Sequence, residues 1–246
     1  MLPSYKLRIG SYGHLPVAII EFDDRVEVLS SCIHNGGMRD ADTIAIMQVD
    51  PDYMCDDPLI DVKNMMEALS LPDDTVVFMT AAEVDKVITE ASDAYKGYCT
   101  ASIATAGLSN QVIAGDELTD WERKHEISQK RREALMSRAG TINTIGIVDR
   151  PLTDNAKVNA LIAMTEAKTA AMQDLGWKET GTTSDAVAIV CPAGGDRISY
   201  CGTGFGVGIS LARSVRACIR GCLMKRGDFP YDMSDEDIER LRKEFQ

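Results

Sequence analysis

The sequence predicts an α+β fold: a single domain with one or more mixed β-sheets flanked by long apolar helices, a layered α/β sandwich being one form of it. Three observations carry that prediction. Residues 5–49 contain four short runs of strand-forming residues set off by turn residues. Beyond residue 58, strand-like and helix-periodic segments alternate. Two stretches, 153–176 and 207–224, are apolar over most of their length, which predicts buried helices. A chain of 246 residues, 45% of them apolar, can bury a full core without disulfides or metals. No repeat, linker or low-complexity tract divides it, so residues 1–246 are expected to form one domain.

Each element has its own signal. Strands are predicted at 5–9, 17–22 and 26–33, joined by turns at Tyr12-Gly13 and Asp23-Asp24, with a fourth at 44–49. Leu59, Val62, Met65, Met66 and Leu69 share one face of a helix over 58–69. A strand at 75–80, a helix at 82–92 and a small-residue strand at 98–106 follow, the last feeding Gly107-Leu108-Ser109-Asn110. Residues 116–138 hold six acidic and six basic side chains, with Trp121, Ile127, Ala134 and Leu135 spaced as on a surface helix. A strand ends at Asp149, and a helix begins at Thr153 or Asp154, either able to accept from a first-turn amide. Gly176 terminates that helix. A strand at 185–191 turns at 193–195 into 197–201. The helix 207–224 and a charged helix 234–245 complete the chain, the latter capped by Ser234 with Asp237 three residues on.

Composition narrows the function. A net charge of −12 argues against nucleic acid and anionic membranes as partners. No apolar run reaches the ~18 residues of a membrane span. The seven cysteines lie mostly in apolar runs, their number is odd and no signal peptide opens the chain, so reduced thiols in a cytoplasm are expected. Cys218 and Cys222 sit one helical turn apart but lack a matching second pair, and His14, His34 and His125 are scattered. No metal site and no cofactor is predicted. The sequence leaves monomer and homo-oligomer open.

The helix 153–176 carries the first candidate site. Asn159, Glu166 and Gln173 fall near one line, with Thr165 and Thr169 beside it and Lys168 pointing away. The residues three and four places from Glu166 are Ile162, Ala163, Thr169 and Ala170, none of them a cation. A buried carboxylate there needs a tertiary partner or an acid–base role. Asp185 ends a hydroxyl-rich loop. Ser109, at a turn after a small-residue strand, is a candidate nucleophile, and Asn110 beside it a candidate oxyanion donor. Thr141 and Asn143 sit at the mouth of a strand. His34-Asn35-Gly36-Gly37 is either a plain turn or a loop that brings a base to the pocket. The glycine run Gly202 to Gly208 serves tight turning or forms a pocket wall.

Four blocks in order, TAGLSN (105–110), AGTINT (139–144), VNA…TEAKTAA.QDLG (158–176) and GTTSDA (181–186), together with the earlier Asn35-Gly36-Gly37, resemble the signature of the adenosylcobinamide amidohydrolase family, the CbiZ type. That family cleaves the amide joining the aminopropanol arm to the corrin ring of adenosylcobinamide, giving adenosylcobyric acid in cobamide salvage and remodelling. The resemblance implies a cationic corrinoid substrate, which an acidic chain tolerates. It implies catalytic roles among Glu166, Asp185, Asn110 and Ser109, with Glu166 or Asp185 activating water. It implies substrate contacts among His34, Asn35, Gly36, Gly37, Thr141, Asn143, Asn159, Thr165, Thr169 and Gly202, the four blocks meeting in a single cleft. Residues 116–138 lengthen the connection between TAGLSN and AGTINT, and are expected to be a peripheral helical insertion. The rival functions are a non-catalytic corrinoid-binding protein and a small-molecule amidase of other specificity.

Overall fold

A computed structural model describes residues 1–108, 110–117, 140–230 and 232–245. Strands β1 (Tyr5–Tyr12), β2 (Leu15–Ser30) and β3 (Gly37–Gln48) are followed by α1 (Pro58–Ala68), β4 (Val76–Thr80), the single turn α2 (Val84–Val87), β5 (Thr89–Tyr95), β6 (Tyr98–Thr105) and the short β7 (Gln111–Val112). Then come β8 (Asn143–Val148), α3 (Asp154–Asp174), the short β9 (Gly181–Thr182), β10 (Ala186–Pro192), α4 (Gly206–Arg226) and α5 (Asp235–Glu244).

Eight strands form one mixed sheet in the order β4-β3-β2-β10-β8-β6-β5, with β1 added to β2, and β7 pairs separately with β9. The β3–β4 and β8–β10 pairs are parallel and the rest of the large sheet is antiparallel. The predicted α+β class holds. Asp23-Asp24, however, is no turn. β2 continues through it for 16 residues, with a register shift between Glu21 and Val26. The bulge bends the strand, so one edge pairs with β1 in its first half and with β10 in its second. The predicted helix 82–92 is one turn long. Thr89–Tyr95 alternates half-buried and exposed positions as a strand does. Lys96 and Gly97, at φ 51° and 81°, close it into a two-residue hairpin with β6. The predicted 197–201 strand contributes only a bridge between Leu152 and Ile198.

On one face of the sheet α3 and α4 pack over β6, β8 and β10, and α1 packs over β2, β3 and β4. The other face is lined by Ile20, Ile44, Ile46, Phe78, Ile103, Ile145 and Ile147, all fully buried. The sheet coils around this second core. Asn143 Nδ2 on β8 donates to Met79 O on β4 at 3.0 Å, and Tyr5 Oη on β1 donates to Glu90 Oε1 on β5 at 3.1 Å. Ala156, Ala160, Ala163, Ala167 and Ala171 form the inner side of α3 and let it lie close to the sheet. Its outer side is open: Val158 and Ile162 are 51% and 53% exposed, so the helix predicted to be buried all round is buried on one side.

A Cβ on Gly140 would sit 2.6 Å from Gly107 Cα, so the chain leaves and re-enters the sheet end at one point. Residues 118–139 lie outside the described residues, and with them nearly all of the predicted insertion. Among the described residues no helix is long and apolar enough to cross a membrane, and no cluster of metal-ligating side chains occurs.

Candidate active site

Register places the sequence blocks at one end of the sheet. Thr105, the last residue of β6, lies opposite Asn143, the first of β8, and Asn143 lies beside Ala186, the first of β10. Ser31, just past the end of β2, bonds Val187 through both backbone and side chain. The segments 31–36, 106–108, 140–142 and 182–185, with Asn110, therefore gather over the same strand ends.

Asp185 is the hub. Its Oδ1 accepts from Thr182 Oγ1 at 2.5 Å, Thr182 N at 3.1 Å and Ile142 N at 3.3 Å. Its Oδ2 accepts from Lys168 Nζ at 2.5 Å, and both side chains of this pair are mostly buried. A carboxylate that receives four donors, one of them charged, is held in one orientation. A Cβ on Gly181 would collide with the Asp185 carboxylate and the Lys168 amine, so a side chain there would push the pair aside. Around the hub, Thr141 Oγ1 and Ser184 Oγ share a short hydrogen bond. Asn110 Nδ2 donates to Thr183 Oγ1 at 2.7 Å, and Thr183 N donates back to Asn110 O at 3.2 Å. Thr169 Oγ1 donates to Thr180 O at 2.9 Å and ties α3 to β9. A loop of four consecutive polar residues, Thr182 to Asp185, is thus pinned from three sides, with Thr183 and Ser184 left at the surface.

The structure brings together Asp185, Asn110, Thr141 and Thr169 of the predicted set. It corrects the premise behind Glu166, which is exposed, not a buried acid lacking a partner. Two residues before Lys168, it projects about 160° away round the helix. Lys168, read from the sequence as pointing away, is the side chain that reaches the centre. Thr165, also exposed, bonds back to Leu161 O at 2.9 Å within its own helix. Asn159 lies nine residues before Lys168 and so on the opposite side of α3. Asn143 is sealed in the core by its bond to Met79 O. Asn35, at φ 56°, donates to Asp73 O and Thr75 O, while the His34 backbone bridges Val77. The loop His34 to Gly37 thereby fastens the outer edge of β4. Burial, with Lys63 and Arg39 near, holds the His34 imidazole below its ordinary pKa. A Cβ on Gly36 would lie 2.6 Å from Cys32 O, and Gly37 adopts φ 79°. Gly202 precedes α4, whose first residue Gly206 abuts Tyr98 at the start of β6. It is separated from the Asp185 end by the length of β6, about 26 Å. Ser109 lies outside the described residues.

A second polar centre, not foreseen from sequence, sits where α3 begins. Lys157 is 1% exposed and donates to Glu27 Oε2 at 2.5 Å and to Asp154 Oδ1 at 3.3 Å. Arg197 forks onto the same Glu27 carboxylate and reaches Leu152 O at 2.7 Å. Together with Met38, Asp40 and Thr153 these residues line an open cleft of about 390 Å³. The hydrogen bonds from Arg197, and then from Lys157, outweigh burial and lower the Glu27 pKa from 4.5 to about 2. Burial opposes the charge of Lys157, yet its bond to Glu27 raises its pKa overall. Because the folded pKa of Glu27 lies below its unfolded value, its stabilisation is complete above pH 4.5 and is lost as pH falls towards about 2. Thermal unfolding followed across that window is expected to lose about 2–3 kcal/mol more in the native chain than in Glu27→Gln.

A family model described as adenosylcobinamide amidohydrolase (CbiZ) matches residues 4–229. The chain is 33% identical over 129 residues to an adenosylcobinamide amidohydrolase of Halobacterium salinarum, covering 50% of this chain and 49% of that protein. It is 28% identical over 166 residues to an uncharacterized protein of Methanocaldococcus jannaschii, covering 63% of this chain and 64% of that one. In both cases it spans less than two thirds of the relative's length.

Proposed function

The chain belongs to the adenosylcobinamide amidohydrolase family, and from that premise we propose that it hydrolyses the amide between the aminopropanol arm and the corrin ring of adenosylcobinamide, in the cytoplasm and in the service of cobamide salvage. The observation that carries the reading is the Lys168–Asp185 pair, buried at the strand ends where the family blocks meet and ringed by hydroxyl and amide groups.

The chemistry follows from the parts. Water attacks the amide carbonyl and gives its proton to Asp185 Oδ2. The negative charge that develops on the carbonyl oxygen is met by donors of the Asn110, Thr183 and Ser184 group. The C–N bond breaks and Lys168 protonates the leaving amine. The proton on Asp185 then returns to Lys168 across their hydrogen bond, and the pair is restored. Glu166, turned to solvent, takes no step. A carboxylate and an ammonium already in contact suit this exchange, because neither charge has to be created in the low-dielectric site. In water enriched with heavy oxygen, one heavy atom is expected in the new carboxylate of adenosylcobyric acid and none in the aminopropanol. Release of aminopropanol without incorporation would exclude hydrolysis.

A further inference from the structure

Lys157 and Lys168 are eleven residues apart, close to three full turns of α3, so they project from the same side of the helix about 16 Å from one another. Each ends on a carboxylate, Glu27 of β2 at one end and Asp185 of the loop before β10 at the other. That side of α3 carries Leu161 between them, and about 100° and 140° round the helix from Lys157, on its outward side, stand Val158 and Ile162, two half-exposed aliphatic side chains on a helix whose inner side already buries a full row of residues. The sheet supplies a matching apolar surface. Met38, 44% exposed, lies 3.6 Å by its Sδ from Lys157 Nζ and stands opposite Leu29 in the β2–β3 register. β4 pairs with β3 only from Ile44 onward, so no strand covers Met38 from that edge.

We propose that the outward side of α3 and the sheet surface beside it are the seat of the corrinoid: the apolar face of the ring lies over Val158 and Ile162 with its rim towards Met38, the reacting arm reaches the Lys168–Asp185 pair, and rim amides fill the cleft of Glu27, Asp40, Asp154 and Arg197. The inference rests on the reading of the substrate given above. The match is chemical at three points. A broad macrocycle needs a long apolar surface, not a deep pocket, and α3 offers one. Primary amides at its rim both donate and accept, and the cleft presents carboxylates beside a guanidinium and an ammonium. A cationic ring is favoured where three carboxylates outnumber two cations, as in that cleft.

Val158→Glu and Ile162→Glu place a charge on the surface without entering the core, and Val158→Gln and Ile162→Gln are milder forms. Ile60→Glu, at an exposed position on α1, is the control. Affinity for adenosylcobinamide, measured by equilibrium dialysis and the corrinoid's visible absorbance, is expected to fall about tenfold or more in each Glu variant. The melting temperature and the Ile60→Glu affinity are expected to stay as in the native chain. Folded variants at both positions that bind as the native chain does would overturn the seat while leaving the hydrolytic reading intact. Native protein that binds through these residues without turnover supports the seat and overturns the activity. Native protein that does not bind adenosylcobinamide at all overturns both.

Discussion

Lys168→Met is expected to lower turnover of adenosylcobinamide by about 10²- to 10⁴-fold while the chain still binds the corrinoid. The substitution keeps most of the aliphatic stem and removes only the ammonium. Asp185 then retains Thr182 and Ile142 on Oδ1 but loses its charged donor on Oδ2. In the proposed mechanism the leaving amine loses its proton source, and Asp185 loses the group that takes its proton back. Asp185→Asn is expected to act in the same direction, with an amide hydrogen facing the Lys168 ammonium. A purely structural pair would give another pattern: a lower melting temperature, with turnover per folded molecule near the native value. Measuring turnover, corrinoid affinity and melting temperature on one preparation separates the two.

The second large effect lies at the other end of α3. Glu27→Gln is expected to destabilise the fold by about 3–5 kcal/mol, because it leaves the Lys157 ammonium buried with the exposed Asp154 as its remaining ion-pair partner among the described residues. In a chain of this size the melting temperature should drop by roughly 10 °C. Arg197→Met removes a partner whose side chain is about one third exposed, and is expected to cost about 1 kcal/mol or less. Denaturant unfolding of the two variants tests that order. Equal costs would mean that the carboxylate is held chiefly by Arg197, and that Lys157 is less committed to it than their contact implies.

Particular residues show how far the sequence carried. Helix bounds were legible where a cap and a stop were both written out. Thr153 accepts from Ala156 N and Ser234 from Asp237 N, and Leu175-Gly176 ends α3 with Gly176 at φ 86°. The convergence of Asn110, Thr141 and Asp185 was legible from the order of the family blocks, because each block sits at a strand end and the register lines those ends up. The hairpin at Lys96-Gly97 was missed, since the apolar positions of 84–88 read as helical and the strand after them carries few β-branched residues. Glu166 was misread for a related reason. Alanines surround it on the helical wheel, and alanine count alone does not say which side meets the sheet. The outward row of Val158, Ile162 and Thr165 settles that only in three dimensions. Lys157 and Lys168 were beyond a local reading altogether, because their carboxylates lie 130 and 17 positions away. A lysine flanked by apolar residues looks the same in sequence whether it reaches solvent or a buried acid.

The pair at the strand ends is proposed to cleave the aminopropanol arm from the corrinoid. Purified protein incubated with adenosylcobinamide, with products resolved by mass, tests it most directly. Adenosylcobyric acid and free aminopropanol are expected in equal amounts from the native chain, and neither above background from Lys168→Met. Intact adenosylcobinamide after incubation with well-folded native protein, or equal product from the two chains, would contradict it.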